Sequence, residues 1–306
     1  MHYISRFLLA ASFLFPASLS AQSVTDDGYA DPAFRSPVVA VEFTGQLCRY
    51  CPNLSRALKD HETHYGAENY IITPLHSLTQ FSSLPPRHVS LYHPEAEIYS
   101  ASIAVHSGLP QLVYNTLGPT VSDLELKDKF LEDDLLECTG EVYSADGKQL
   151  TLDIRTRLRR NRQQFIQGKK IDILFWAMEN DIVAYQDDNG KQTYPAHQHI
   201  FRGSINGTWG EEYTIGSVYH KTYDVPSAVT EVKNTDVVVF FLDHDTRTIL
   251  DAARFKVGSQ PTTPIDGVTV TAPQDTQTLY DLQGRPVTHP VPGNVYIRNG
   301  RKVIAD

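Results

Sequence analysis

The strongest constraint on the fold lies between residues 37 and 59. Pro37-Val38-Val39-Ala40-Val41-Glu42-Phe43-Thr44 is a short apolar run that reads as a buried strand. Pro52-Asn53-Leu54-Ser55-Arg56-Ala57-Leu58-Lys59 sets Leu54 and Leu58 at i and i+4, with a proline where a helix's first turn tolerates it. Between the two stands Cys48-Arg49-Tyr50-Cys51, a CxxC at a strand-to-helix turn. The first cysteine there faces the positive end of the helix dipole, which stabilises a thiolate, and Arg49 adds a further positive charge. Taken alone, the CxxC admits redox chemistry, an inert disulfide closing a small loop, or a zinc half-site.

Downstream, Asn69 to His76 reads as a second strand and Pro94 to Val105 as a helix. Gly108-Leu109-Pro110-Gln111-Leu112-Val113-Tyr114-Asn115 follows as a proline-led strand; an X-Pro bond is the ordinary site of a cis peptide. Ser122 to Leu136 alternates charge and leucine in a helical pattern. This order resembles the thioredoxin superfamily across residues 36–136. The resemblance implies Cys48 as nucleophile, Cys51 as resolving cysteine, Leu109-Pro110 as the cis-proline loop facing the disulfide, and Glu42 as a buried acid that relays a proton. The chain departs from that pattern in three ways: no tryptophan precedes the CxxC, Arg-Tyr fills it, and a long insertion precedes the proline-led strand.

From Thr139 to Val257 the texture turns to strands. Leu150, Leu152, Ile154 and Leu158 alternate with polar residues, Lys170 to Met178 and Asp236 to Leu242 are apolar runs, and Asp146-Gly147 and Asn189-Gly190 mark turns. Such a series predicts an antiparallel sandwich. Asp153, Arg155, Arg157 and Arg159 share one face, read as a solvated face or a strip for an anionic ligand. His197 and His199 share a strand face, with His220 and His244 farther off, and these are read as surface or packing residues rather than zinc ligands. Asn206-Gly207-Thr208-Trp209-Gly210-Glu211 reads as a tight turn that places an indole in the sandwich core, or exposes it to a ligand. Cys138 is expected as a free buried thiol.

Both ends of the chain carry their own signals. Arg6, the apolar run Phe7 to Phe15 and the small residues up to Ala21 read as a secretory signal cleaved after Ala21. No stretch reaches the roughly 20 apolar residues of a membrane helix. Residues 258–266, with Pro261 and Pro264, have linker composition; beyond them, Leu279 to Val287 and Gly293 to Val303 read as short strands around glycine turns.

Glu42-Phe43-Thr44-Gly45 leading into the CxxC and Pro52, Glu179-Asn180-Asp181-Ile182-Val183, and His199 through the Trp209 turn are together similar to the outer membrane protein 28-related proteins of Bacteroidetes, over residues 37–257. The C-terminal segment resembles the sorting tails of the type IX secretion system. These resemblances imply an α/β thioredoxin-like domain (37–137), an all-β immunoglobulin-like sandwich (138–257) and a short β tail (267–306), preceded by a signal (1–21) and an N-terminal segment (22–36), at the outer membrane or cell surface or secreted. The net charge of −9 disfavours nucleic acid. Two functions stay open, neither needing a cofactor or a metal. One is thiol–disulfide exchange with protein thiols or disulfides through Cys48, Cys51, Pro110 and Glu42; the other is non-catalytic binding or adhesion to a surface ligand on a scaffold with a structural disulfide.

Overall fold

The computed structural model describes residues 37–77, 88–103, 108–120, 123–124, 126, 135–259, 279–280, 286–287, 295–298 and 301–304. The signal expected at 1–21, most of the linker and most of the helix expected over Ser122 to Leu136 lie outside them.

The run VVAVEFT forms β1 (Val38–Thr44), buried along its whole length. It pairs parallel with β2 (Tyr70–His76), Thr44 opposite His76, and antiparallel with β3 (Gln111–Tyr114), Phe43 opposite Gln111. Alternation along β1 sends Val38 and Ala40 against Leu58 of α1 (Cys51–Tyr65), and Val39, Val41 and Phe43 toward Ala96, Tyr99 and Ile103 of α2 (Glu95–Ile103). The expected order of strand, CxxC, helix, strand, helix and proline-led strand is therefore present, and the Leu109–Pro110 peptide is cis.

The β portion adds β4 (Leu136–Tyr143), β5 (Gln149–Leu158), a short α3 (Gln163–Ile166), β6 (Ile171–Glu179), β7 (Ile182–Val183), β8 (Gln186–Asp188), β9 (Lys191–Thr193), β10 (Ala196–His197), β11 (Ile200–Ser204), β12 (Glu211–Glu212), β13 (Val218–Asp224), β14 (Thr235–Asp243) and β15 (Ile249–Gly258). The sandwich expected from the strand pattern is one continuous curled sheet rather than two separate ones. Its order is β11-β6-β14-β15-β4-β5-β13, with β12 also on β6. The halves stay joined because β15 pairs antiparallel with β14 and, at Val257 and Gly258, parallel with β4.

β6 and β14 are buried on both faces. Ile173, Phe175, Ala177, Val237, Val239 and Phe241 face Leu150, Leu152 and Ile154 of β5 inside the curl. The alternate residues Leu174, Trp176, Met178, Val238, Phe240 and Leu242 face α2 and the odd-numbered side chains of β1. The same two strands thus wall two cores, which is why they read as unbroken apolar runs.

The described residues up to 259 belong to one compact unit; the segment from Pro261 onward is a second. In the latter, β16 (Leu279–Tyr280), β17 (Pro286–Val287), β18 (Val295–Arg298) and β19 (Arg301–Ile304) form a sheet of order β17-β16-β18-β19. Among the described residues no helix is long and apolar enough to cross a membrane.

Several local expectations are corrected. Leu136 opens β4 instead of closing a helix. Arg159 leaves the face of Arg155 and Arg157: it follows the end of β5 and is buried. His199 does not share a strand face with His197, because its φ of 55° lies outside β10. The indole at the centre of a core is Trp176, whereas Trp209 packs half-buried against the edge of that core, on Tyr99 and beneath the Arg247 guanidinium. Its turn is structural: Asn206 bonds the main chain of Phe175 and Ile173, and a side chain at Gly210 would meet the Ile173 carbonyl at 2.2 Å. Cys138, by contrast, is the free thiol expected, half-buried on β4, and burial pushes its pKa well up.

Candidate functional site at the Cys48–Cys51 disulfide

Where β1 ends, the chain turns at Gly45 to Tyr50 and enters α1 at Cys51. The Cys48 amide donates to the Gly45 carbonyl at 3.1 Å, and the Cys51 amide lies 3.2 Å from both the Cys48 carbonyl and its Sγ. Cys48 and Cys51 are joined in a disulfide, with Cα atoms 5.4 Å apart, at the amino end of α1. Both are buried, at 4% and 1% exposure. Between them Tyr50 is 59% exposed.

Glu42 lies behind this turn on β1 and is buried. Ser55 Oγ is 2.7 Å from Glu42 Oε1 and 3.2 Å from the Cys51 carbonyl, so one hydroxyl lies between the carboxyl and the Cys51 backbone. Burial pushes the Glu42 carboxyl up to about 7, against smaller opposing effects of hydrogen bonds from Ser55 and Thr44. Pro110 precedes Gln111, whose partner is Phe43, and so stands at the same end of the sheet. All four residues singled out from the sequence thus gather where β1 gives way to α1.

Sequence reasoning missed what packs on the CxxC turn. The hairpin β8–β9, closed by Asn189-Gly190, lies across the CxxC turn. Gln186 Nε2 donates to the carbonyls of Gly45 at 3.2 Å and Cys48 at 3.3 Å. The Asp187 amide donates to the Gln46 carbonyl at 2.8 Å and the Asn189 amide to that of Arg49 at 2.9 Å. The Asn-Gly signal marked the turn, but nothing local in it tells that its target stands some 140 residues earlier.

Beside the disulfide a cavity of about 440 Å³ opens between α1, β1, β2 and the segment from Gln186 to Ile200. Glu42, Ser55, His76 and His197 line it. The two rings lie 6.0 Å apart edge to face, and His76 Nδ1 and His197 Nε2 have no hydrogen-bond partner among the described residues. Burial drives the His76 pKa well below the usual histidine range and holds His197 at about 4, so both are neutral at physiological pH. At the rim, Glu62 of α1 meets Arg254 Nη1 at 2.9 Å and His199 Nε2 at 3.2 Å. Burial alone would raise the Glu62 carboxyl; the hydrogen bonds and charges of His199 and Arg254 outweigh it and hold the group at about 2. His220 and His244 belong elsewhere, paired with Asp153 and Asp172.

No family model matches the sequence, and no curated protein matches it either. HBP35 of Porphyromonas gingivalis shares this fold. The two superpose with a TM-score of 0.58 at 17% identity, over 90% of this chain and 99% of that one. A domain of the outer membrane lipoprotein Omp28 from Porphyromonas gingivalis aligns with a TM-score of 0.30 at 20% identity, over 40% of this chain and 88% of that one.

Proposed function

We propose that this is an exported cell-envelope protein whose thioredoxin-like portion exchanges disulfides with protein partners through Cys48 and Cys51. The observation that carries the reading is Glu42. A structural disulfide needs no buried carboxyl behind it, and burying one is costly. A carboxyl poised at about 7, behind the turn and held by Ser55, which also bonds the Cys51 carbonyl, suits a proton acceptor for the resolving thiol.

In the reduced protein, the Cys48 thiolate attacks one sulfur of a substrate disulfide, forms a mixed disulfide and expels the first substrate thiolate. The Cys51 thiol gives its proton to Glu42 and attacks Cys48 Sγ, which restores the Cys48–Cys51 bond and releases the second thiolate. Two electrons pass from the protein dithiol to the substrate disulfide; the reverse sequence oxidises a substrate dithiol. Pro110, at the same sheet end, shapes the surface beside the pair. Export is supported by the signal-like residues 1–21 and fits a stable disulfide, and the strands after residue 278 fit a sorting tail.

A second reading has its own support: both cysteines are almost fully buried, as an inert disulfide in a surface-binding scaffold would be. The reduction potential of the pair separates the two, measured with pH-dependent alkylation of the reduced protein and a Cys48→Ser control. A potential above about −270 mV with alkylation in the folded state supports exchange. A potential below about −300 mV with alkylation only after unfolding supports the scaffold.

A further inference from the structure

The hairpin over the disulfide bonds to the loop much as a bound polypeptide would. Gln46 and Arg49 offer main-chain carbonyls, and the hairpin supplies amides from Asp187 and Asn189, two residues apart. Gln186, itself buried, adds a carboxamide donated to Gly45 and Cys48. Gly190 passes so close to Arg49 that a side chain there would meet its guanidinium at 2.9 Å. Main-chain pairing of this kind is how protein surfaces take up extended segments irrespective of sequence.

We propose that β8–β9 is a built-in occupant of the surface on which a polypeptide substrate docks, so that exchange at Cys48 requires the hairpin to lift. The proposal rests on the exchange reading of the pair and adds its substrate class and its control. With the hairpin lifted, the Gln46 and Arg49 carbonyls are free for a substrate chain, and Tyr50, already exposed, offers it an aromatic contact.

The hold on the hairpin is light. Its strands have three residues each, and an isolated hairpin of that size is marginal in water. Its outer latch is the ion pair of Arg56 with Asp188 at 2.9 Å, whose side chains are 56% and 28% exposed, together with Asn189 on Asn53 at 3.3 Å. An exposed pair of that type contributes little. Across the tip, what remains is Gln186 and two main-chain bonds, while the base is held by the Gln46 carboxamide on the Tyr185 carbonyl at 3.0 Å and by Tyr194 stacked on His88, a set suited to lifting of the tip with the rest of the unit intact.

The test uses the full chain and the variant Gln186→Ala/Asp188→Lys, which removes the buried anchor and turns the latch into a repulsion. The folded proteins are treated with a water-soluble phosphine and the freed thiols trapped with iodoacetamide, while hydrogen exchange follows the amides of Asp187 and Asn189. The variant is expected to lose protection at both amides, to react about tenfold faster or more, and, once reduced, to reduce insulin faster than the wild type. Asp188→Lys alone, at the exposed rim, replaces it where the double variant does not fold, with the same sign and about a threefold effect. Equal phosphine rates in wild type and variant overturn the proposal, whether or not amide protection is lost. A faster phosphine reaction in a variant that, like the wild type, never reduces insulin overturns the exchange reading and the docking role with it, leaving the hairpin as the cover of a structural disulfide.

Discussion

Glu42 is the residue on which the proposed exchange turns, because its partners, the hydroxyls of Ser55 and Thr44, carry no positive charge to offset its burial. Its folded pKa of about 7 lies above the ordinary value of 4.5. Between those values the native state holds a proton that the unfolded chain has released. The stabilisation is therefore complete below the ordinary value and is lost as pH rises through about 7, a change of about 3 kcal/mol. Urea unfolding of the wild type at a series of pH values should show that decline, and Glu42→Gln should flatten it; a wild type as stable above neutrality as below would sink the assignment. On the exchange reading, the same substitution removes the proton acceptor for Cys51. It should slow release of the mixed disulfide by about tenfold or more and erase the pH dependence of that step near 7, while leaving the first attack by Cys48 unchanged.

At the scale of elements, α1 depends on the β portion for its seat. Glu62 reaches Arg254 of β15 and His199 of the segment between β10 and β11, with Lys59 at 3.3 Å on its solvent side. The sign here is opposite to that of Glu42: a carboxyl held at about 2 stabilises the fold above its ordinary value and ceases to do so as pH falls toward 2. Glu62→Gln should cost about 3 kcal/mol at neutral pH, because it strands the Arg254 charge in a buried place. Arg254→Met should cost about as much, and the double variant clearly less than the sum, measured by denaturant melts in a double-mutant cycle. None of this network was legible in the sequence, where Glu62 is one polar residue of a helix and His199 one histidine of twelve. The legible elements were those whose own periodicity decides them. β1, α1, β6 and β14 each declare themselves within ten to fifteen residues, and Cys48, Cys51, Glu42 and Pro110 came together because they sit on or beside such elements. The cover supplied by Gln186 and the seat supplied by Arg254 are contacts between distant parts of the chain, and no local pattern encodes them. The burial of Glu42 was implied only by the resemblance to thioredoxins: nothing local in β1 tells that α1 is laid over it.

At the scale of the molecule, the composition of the cores limits how the chain can be divided. The face of β1 formed by Val39, Val41 and Phe43, together with Tyr99 and Ile103 of α2, is completed by Trp176, Met178, Phe201, Val238 and Phe240 from the curled sheet. Trp176 also donates its indole N–H to Tyr99 Oη at 3.1 Å, and stands against Phe201 and Phe240 with ring centres 4.8 Å away. A fragment of residues 37–137 keeps β1, α1 and α2 but loses that entire wall, so it presents an apolar face to water and strands the Tyr99 hydroxyl. It should therefore lack cooperative melting and bind an apolar dye, even with the Cys48–Cys51 disulfide formed. A fragment of residues 22–260 retains both cores and the hairpin over the disulfide, and should melt as one transition with near-UV circular dichroism matching that of the longer chain. The two fragments measured side by side decide whether the CxxC portion is a domain in its own right. A cooperative transition in the shorter one would mean that α1 and α2 close its core without the sheet, and that the wall of Trp176 and Phe240 is a docking surface rather than half of a shared interior.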